Sequence, residues 1–288
     1  MQDRYTKQGV HLFDRGSGTN ILMDEFACSD KILSAAPANV SIAVTNKCNR
    51  SCKHCFVPKS DASIDGTAVC SWIKELNENG CLGVGFGGGE PLLYPHIEKV
   101  CRYVHERTSM ACTLTTNGDF IDDRAITWMK QNVHFVRIST NGETINYTRI
   151  GHLAKDISIG INYLLNERTF LGLADAIKYC AVVGVKEFLL LPQMKTNRCR
   201  GVGPGFLSRV DDWLVSTTLP LRVTMSAFSS DGMKSIVPIP GDVGVRQYLH
   251  ISADGVVKTS SIAKFGVSIG KSTLIQAIKE VYRHEDLD

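Results

Sequence analysis

The chain has 288 residues with 43% hydrophobic and 21% charged content, ordinary for a globular protein with one α/β core and small additions. Lys and Arg (32) barely outnumber Asp and Glu (29), and the resulting +3 is dispersed, which argues against nucleic-acid and membrane partners. No apolar run reaches about 18 residues and no signal-peptide pattern opens the chain, while ten cysteines lack the close spacing of a disulfide scaffold. A cytoplasmic, reducing location is expected.

Residues 1–38 form a prelude. His11-Leu-Phe and Ile21-Leu-Met flank a Gly-Ser-Gly-Thr-Asn turn at 16–20, which predicts a hairpin. Strand–helix alternation begins at 40–45. A helix follows at 67–76, where Trp72, Ile73 and Leu76 share a face. Next come a strand at 82–86, a helix at 96–105, a strand at 111–115, a helix at 122–130 and a strand at 135–139. The series closes with a strand at 158–165, a helix at 171–183 and a strand at 187–191. Six strands with intervening helices predict a partial (β/α)6 parallel barrel with ligands at the carboxyl ends of its strands. Between Ser139 and Ser158 the chain looks too short for a turn and a full helix, so either the fourth crossover is shortened or a flexible stretch is missing from the sequence there.

Two motifs lie at that end. Directly after the first barrel strand, Cys48, Cys52 and Cys55 are spaced C-x3-C-x2-C. Three thiolates on one loop can hold three irons of a [4Fe–4S] cube and leave the fourth iron open, whereas clusters without an open position take four cysteines. An incomplete zinc knuckle with His54 as fourth ligand is the alternative on spacing alone, although no second C-x2-C pair follows. The second strand ends in Gly87, Gly88, Gly89, Glu90 and Pro91. Glycines there allow close approach and positive φ, bare carbonyls can accept from an ammonium, and Glu90 adds an anion.

With both motifs in this order the chain resembles the radical S-adenosylmethionine (SAM) superfamily. The resemblance implies one [4Fe–4S] cluster on Cys48, Cys52 and Cys55, with SAM on the open iron and its amino group at the Gly-Gly-Glu-Pro turn. It extends to Thr115-Thr-Asn-Gly118 and to the run 136–142, similar to those of SPASM- or twitch-type members. By that match Asn117 lies near the methionine end, Ser139 near the ribose, and Arg149 near the SAM carboxylate. The implied reaction is reductive cleavage of SAM to a 5′-deoxyadenosyl radical that takes a hydrogen atom from a peptide or small-metabolite substrate, with flavodoxin or ferredoxin as electron donor. The alternative is a non-catalytic iron–sulfur or SAM-binding sensor or assembly protein.

The last third departs from those members. A strand is expected at 221–228 and an Asp-Gly hairpin at 248–258. Thr259, Ser260 and Ser261 stand where SPASM-type proteins carry an auxiliary-cluster cysteine, and no cysteine follows Cys199. The expected organisation is therefore an N-terminal hairpin at 1–38, the barrel at 39–228 and a small α+β SPASM or twitch remnant at 229–288. Gly266-Val-Ser-Ile-Gly-Lys-Ser-Thr is one residue short of a phosphate loop and reads as the entry to a capped helix at 272–282. Residues 201–205 read as a glycine-rich loop. Cys70, Cys101 and Cys180 read as small apolar helix residues. Cys199, on a loop above the barrel mouth, is a candidate hydrogen donor to a substrate radical, which would permit redox-neutral epimerisation.

Overall fold

The computed structural model describes residues 1–25, 28–29, 33–141, 146–226, 233–235 and 247–285. The barrel strands are β4 (Asn39–Thr45), β5 (Gly83–Gly88), β6 (Ala111–Thr116), β7 (Phe135–Thr140), β8 (Ile159–Leu165) and β9 (Glu187–Pro192), after β1 (Gln2–Thr6), β2 (Gly9–Asp14) and β3 (Thr19–Met23) of the prelude. Helices α1 (Gly66–Glu78), α2 (Ile97–Arg107), α3 (Asp123–Asn132), α4 (Tyr147–Asp156), α5 (Glu167–Phe170) and α6 (Leu173–Val182) alternate with them. Each barrel strand pairs in parallel with its sequence neighbour. This is the expected α/β partial barrel.

Alternation explains which side faces in. Val40, Ile42 and Val44 of β4 are buried against the helical layer with Val69, Ile73 and Leu76 of α1, all at 0–2% exposure. The residues between them face the barrel interior. Strand β5 is built the same way: Val84 and Phe86 enter the core, while Gly83, Gly85 and Gly87 face inward. A Cβ at Gly83 or Gly85 would stand 2.9 Å from Asn39 Oδ1 or Thr113 Oγ1, so polar side chains of the flanking strands lie across this bare strand.

The fourth crossover differs from expectation. It holds the ten-residue α4, as long as α3, with Asn146 capping through a 2.9 Å bond from the Arg149 amide. The helix matches the one in the third crossover in length, so the fourth crossover is not shortened. Beyond β9 the chain makes α7 (Pro204–Ser216), which the glycine-rich reading of 201–205 concealed. Pro204 stands in its first turn and Phe206 and Val210 are buried. Then β10 (Arg222–Met225) joins β9 in parallel as a further strand; the end of the strand expected at 221–228 and the boundary at 228/229 lie outside the described residues.

The C-terminal extension continues the same sheet. β11 (Tyr248–Ile251) pairs in parallel with β4, and β12 (Val256–Lys258) and β13 (Val267–Ser268) add antiparallel strands, giving the order β10-β9-β8-β7-β6-β5-β4-β11-β12-β13. The expected hairpin is β11–β12, with Gly255 at φ +75° in its turn. The final helix α8 (Leu274–Glu285) is capped by Thr273 and Gln276 in reciprocal bonds rather than by Ser272.

The prelude is a three-stranded antiparallel sheet, not a lone hairpin, because Gln2–Thr6 also pairs with β2. It is anchored by Arg4, 2% exposed, whose Nη1 donates to Ala36 O at 2.6 Å and Gly80 O at 2.9 Å. Gln2 reaches Cys81 O, and Arg15 reaches the carbonyls of His105 and Thr108. All these acceptors precede barrel strands, so the prelude sits at the amino end of the barrel, away from the cysteine loop.

Candidate functional site

The loops after β4, β5 and β6 meet at the carboxyl end of the sheet. Cys48, Cys52 and Cys55 lie on the first of these; all three are free and half-buried. The loop is turned by a bond from the Cys55 amide to Cys52 O, and the Arg50 amide points at Cys48 Sγ from 3.4 Å. Among the described residues, no three His, Cys, Asp or Glu converge as ligands of a single metal ion. The donor set on the loop is three thiols, which could supply three corners of a [4Fe–4S] cube.

The glycine turn is stitched to the stem of that loop. Gly89 N donates to Thr45 O and Glu90 N to Lys47 O, both at 2.7 Å. A Cβ at Gly88, which sits at φ +122°, would stand 2.3 Å from Thr45 O, and one at Gly89 would stand 2.2 Å from Lys47 O. These two glycines are therefore required by the approach of the cysteine-loop stem, not by a ligand alone. Gly87 differs: its Cβ would meet nothing nearer than Thr115 Cβ at 4.0 Å, so its inward face has room for a bound molecule.

Glu90 is fully enclosed, at 0% exposure. Its carboxylate accepts from Thr116 Oγ1 at 2.7 Å, the Asn117 amide at 2.8 Å and the Leu92 amide at 3.1 Å. Burial pushes its carboxyl up against the pull of those bonds. The carboxylate braces the second loop against the third.

Asn117 has the same bracing character. Its Nδ2 donates to Asn49 Oδ1 at 2.8 Å and its Oδ1 accepts from the Asp119 amide. Arg50 grips Asp119 through two nitrogens, with Nε to Oδ2 at 2.7 Å, and Asn49 adds a third donor. The guanidinium holds the Asp119 carboxyl below the usual range. Arg149 donates from α4 to Ile121 O at 2.7 Å and Asp119 O at 3.4 Å, so it supports the loop after β6. Asn49, Arg50 and Asp119 are site residues that the motif reading missed. The polar residues inside the cysteine spacing and just after Asn-Gly were the available signal.

Ser139 lies on the inward face of β7, half-buried and in register with Asn162, which is 8% exposed. Cys199 lies on the loop after β9, as expected. Its amide donates to Thr196 Oγ1, and its thiol stands 3.3 Å from that same oxygen, so the sulfur is engaged within its own turn. The neighbours of Cys199 reach the cysteine loop instead. Thr196 Oγ1 donates to Lys53 O at 2.9 Å and Arg198 Nη2 to Cys52 O at 2.8 Å. Burial and the Arg198 charge push His54 below its ordinary pKa.

A model of the radical SAM superfamily matches residues 42–187, just over half of the chain. Among curated proteins, a GTP 3′,8-cyclase of Chlorobaculum tepidum is 33% identical over 87 residues, 29% of this chain and 26% of the relative. The subtilosin biosynthesis protein AlbA of Bacillus subtilis is 22% identical over 113 residues, 38% of this chain and 25% of AlbA. The chain thus spans about a quarter of the length of each. Among solved structures, Streptococcus suis SuiB bound to precursor peptide SuiA superposes with a TM-score of 0.76 at 14% identity, covering 98% of this chain and 88% of SuiB. The matched segment runs from β4 into β9 and includes the cysteine loop, the glycine turn and the loop after β6. On that family match over more than half of its length, the chain belongs to the radical SAM superfamily, whose members use a [4Fe–4S] cluster and SAM.

Proposed function

We propose that the protein is a radical SAM enzyme acting on a peptide substrate, with Cys48, Cys52 and Cys55 as the cluster ligands. When bound, the cluster and SAM supply a 5′-deoxyadenosyl radical, which takes a hydrogen atom from the substrate. The observation that carries the reading is the cross-bracing of three loops: Thr45 and Lys47 to the glycine turn, Glu90 to Thr116 and Asn117, and Asn117 and Asp119 back to Asn49 and Arg50. Such bracing fixes three thiols and a set of turn carbonyls in one frame, as pre-organised catalysis requires.

In this reading the carbonyls of Gly87 and its neighbours receive the SAM amino group. Glu90 and Asn117 hold those carbonyls in place, and Ser139 faces the ribose. Arg149 acts by fixing the loop at 119–121, and Cys199 stays outside the reading because its thiol is held in its own turn. The peptide substrate is supported by the SuiB likeness along nearly the whole chain, since that protein is known with its precursor peptide bound. A second reading, a nucleotide or other small metabolite, draws on the GTP 3′,8-cyclase relatives.

The test is to mix reduced, reconstituted protein with SAM and assay 5′-deoxyadenosine. Formation of that product supports the enzyme. SAM binding without product would support the sensor or assembly alternative instead.

A further inference from the structure

The cysteine loop runs on past Cys55 through Phe56, Val57, Pro58 and Lys59, and the loop after β9 comes alongside it. Between them lies an open cleft of about 440 Å³ whose lining includes Cys55, Phe56, Lys59, Lys195 and Arg198. The two loops are joined beside the cleft by the bonds from Thr196 to Lys53 and from Arg198 to Cys52, so the cleft is a built surface. Its charge has one sign. Residues 50–59 carry Arg50, Lys53 and Lys59 with no Asp or Glu, and residues 193–200 carry Lys195, Arg198 and Arg200 with none.

Arg50 is committed to Asp119. Among the described residues, Lys53, Lys59, Lys195, Arg198 and Arg200 have no ion-pair partner, and all five are exposed. Phe56 stands among them with 51% of its surface exposed. In a chain with a net charge of only +3, this is a local concentration of positive charge around one aromatic residue. Such a combination suits a protein partner with acidic side chains around an apolar centre. The other flank of the cysteine loop is closed by Asn117 and Asp119.

We propose that this cleft is the docking face for an acidic one-electron carrier protein that reduces the cluster. The inference rests on the function proposed above. One electron leaves the carrier and enters the cluster, no bond forms or breaks, and no proton needs to move. Because Cys55 is both a proposed cluster ligand and part of the cleft wall, the path from docked partner to cluster is short.

The test follows cluster bleaching by anaerobic stopped flow, with reduced flavodoxin and reduced methyl viologen, a small cation, as parallel reductants. The Lys59→Glu/Lys195→Glu double variant should lower the second-order rate with flavodoxin by about tenfold at low ionic strength, and added salt should slow the unsubstituted protein. Reduction by methyl viologen should not slow. Lys59 also donates to Arg50 O inside the cysteine loop, so Lys195→Glu alone must show a several-fold loss. Lys279→Glu on α8 controls for net charge and should keep the original rate. Unchanged flavodoxin rates in both Lys195 variants would overturn the inference. Equal slowing with both reductants would also overturn it, by showing that these residues shape the cluster. Loss of acidic-peptide binding with flavodoxin reduction intact would reassign the cleft to substrate. A chain that takes up no iron would fail the proposed function itself, and would be seen before either reductant is added.

Discussion

At the scale of single residues, the three glycines of one turn separate into two roles. Gly88 and Gly89 give way to the cysteine-loop stem, whereas Gly87 faces open space. Gly88→Ala should therefore lower iron retention and SAM binding together, since overpacking against Thr45 O costs on the order of 1–3 kcal/mol and the positive φ adds strain. Gly87→Ala should keep full iron content and weaken SAM binding several-fold. The check is iron analysis beside SAM titration of both variants; retained iron with Gly88→Ala would contradict the stitching. A second prediction concerns Asp119. Its carboxyl is held down by Arg50, so the folded state gains from the pair above the unfolded carboxylate pKa of about 3.9 and loses that gain as pH falls through the lower folded value. The pair is 40% and 36% exposed, which limits its worth to about 1 kcal/mol or less. Thermal melts of the apo-protein and Asp119→Asn should differ at pH 7 and converge below about pH 4. A pH-independent difference would show that the charge is not the cause.

At the scale of elements, the prelude and the C-terminal extension both attach through the barrel rather than beside it. β11 takes the edge of β4, with Leu249 and Ile251 at 0% exposure, and on the opposite face Tyr248 Oη and His250 Nδ1 each lie 2.6 Å from Ser41 Oγ. Burial, and then Lys258, push His250 down to about 4, so this cluster is neutral at pH 7. The prelude hangs on Arg4. Arg4→Met would leave two enclosed carbonyls without their donor, and stability should fall by about 1–3 kcal/mol. SAM affinity of the folded fraction should stay the same, because Arg4 lies at the amino end of the barrel. Denaturant melts and SAM titration of that variant check both halves, and a loss of SAM affinity would place the prelude in the site. Much of this layer was legible in the sequence. Strand–helix alternation over 40–191 follows from apolar spacing, and the Asp-Gly hairpin from its turn. α7 was hidden because its glycine- and proline-rich start resembles a loop. β1 was hidden because Gln2-Asp-Arg-Tyr-Thr has no apolar alternation, its burial depending on partners far along the chain.

At the scale of the whole molecule, spacing announced the chemistry but not the frame around it. The cysteine triplet and the glycine turn could be read directly, since each is local and each matches a demand of its ligand. The links between Arg50 and Asp119 or Glu90 and Asn117 span 69 and 27 positions and exist only once the strands are in register. The sequence reading thus took Glu90 as the anion of its turn, and the bracing bonds it accepts from the third loop come into view only with the fold. The frame has one purpose in the proposed function, to present three thiols to a single [4Fe–4S] cluster at the mouth of the barrel. Iron and acid-labile sulfide analysis after anaerobic reconstitution tests that most directly. About four irons per chain are predicted, and none held stably by the Cys48→Ala/Cys52→Ala/Cys55→Ala variant. Eight irons per chain, or four retained by the triple variant, would contradict the account.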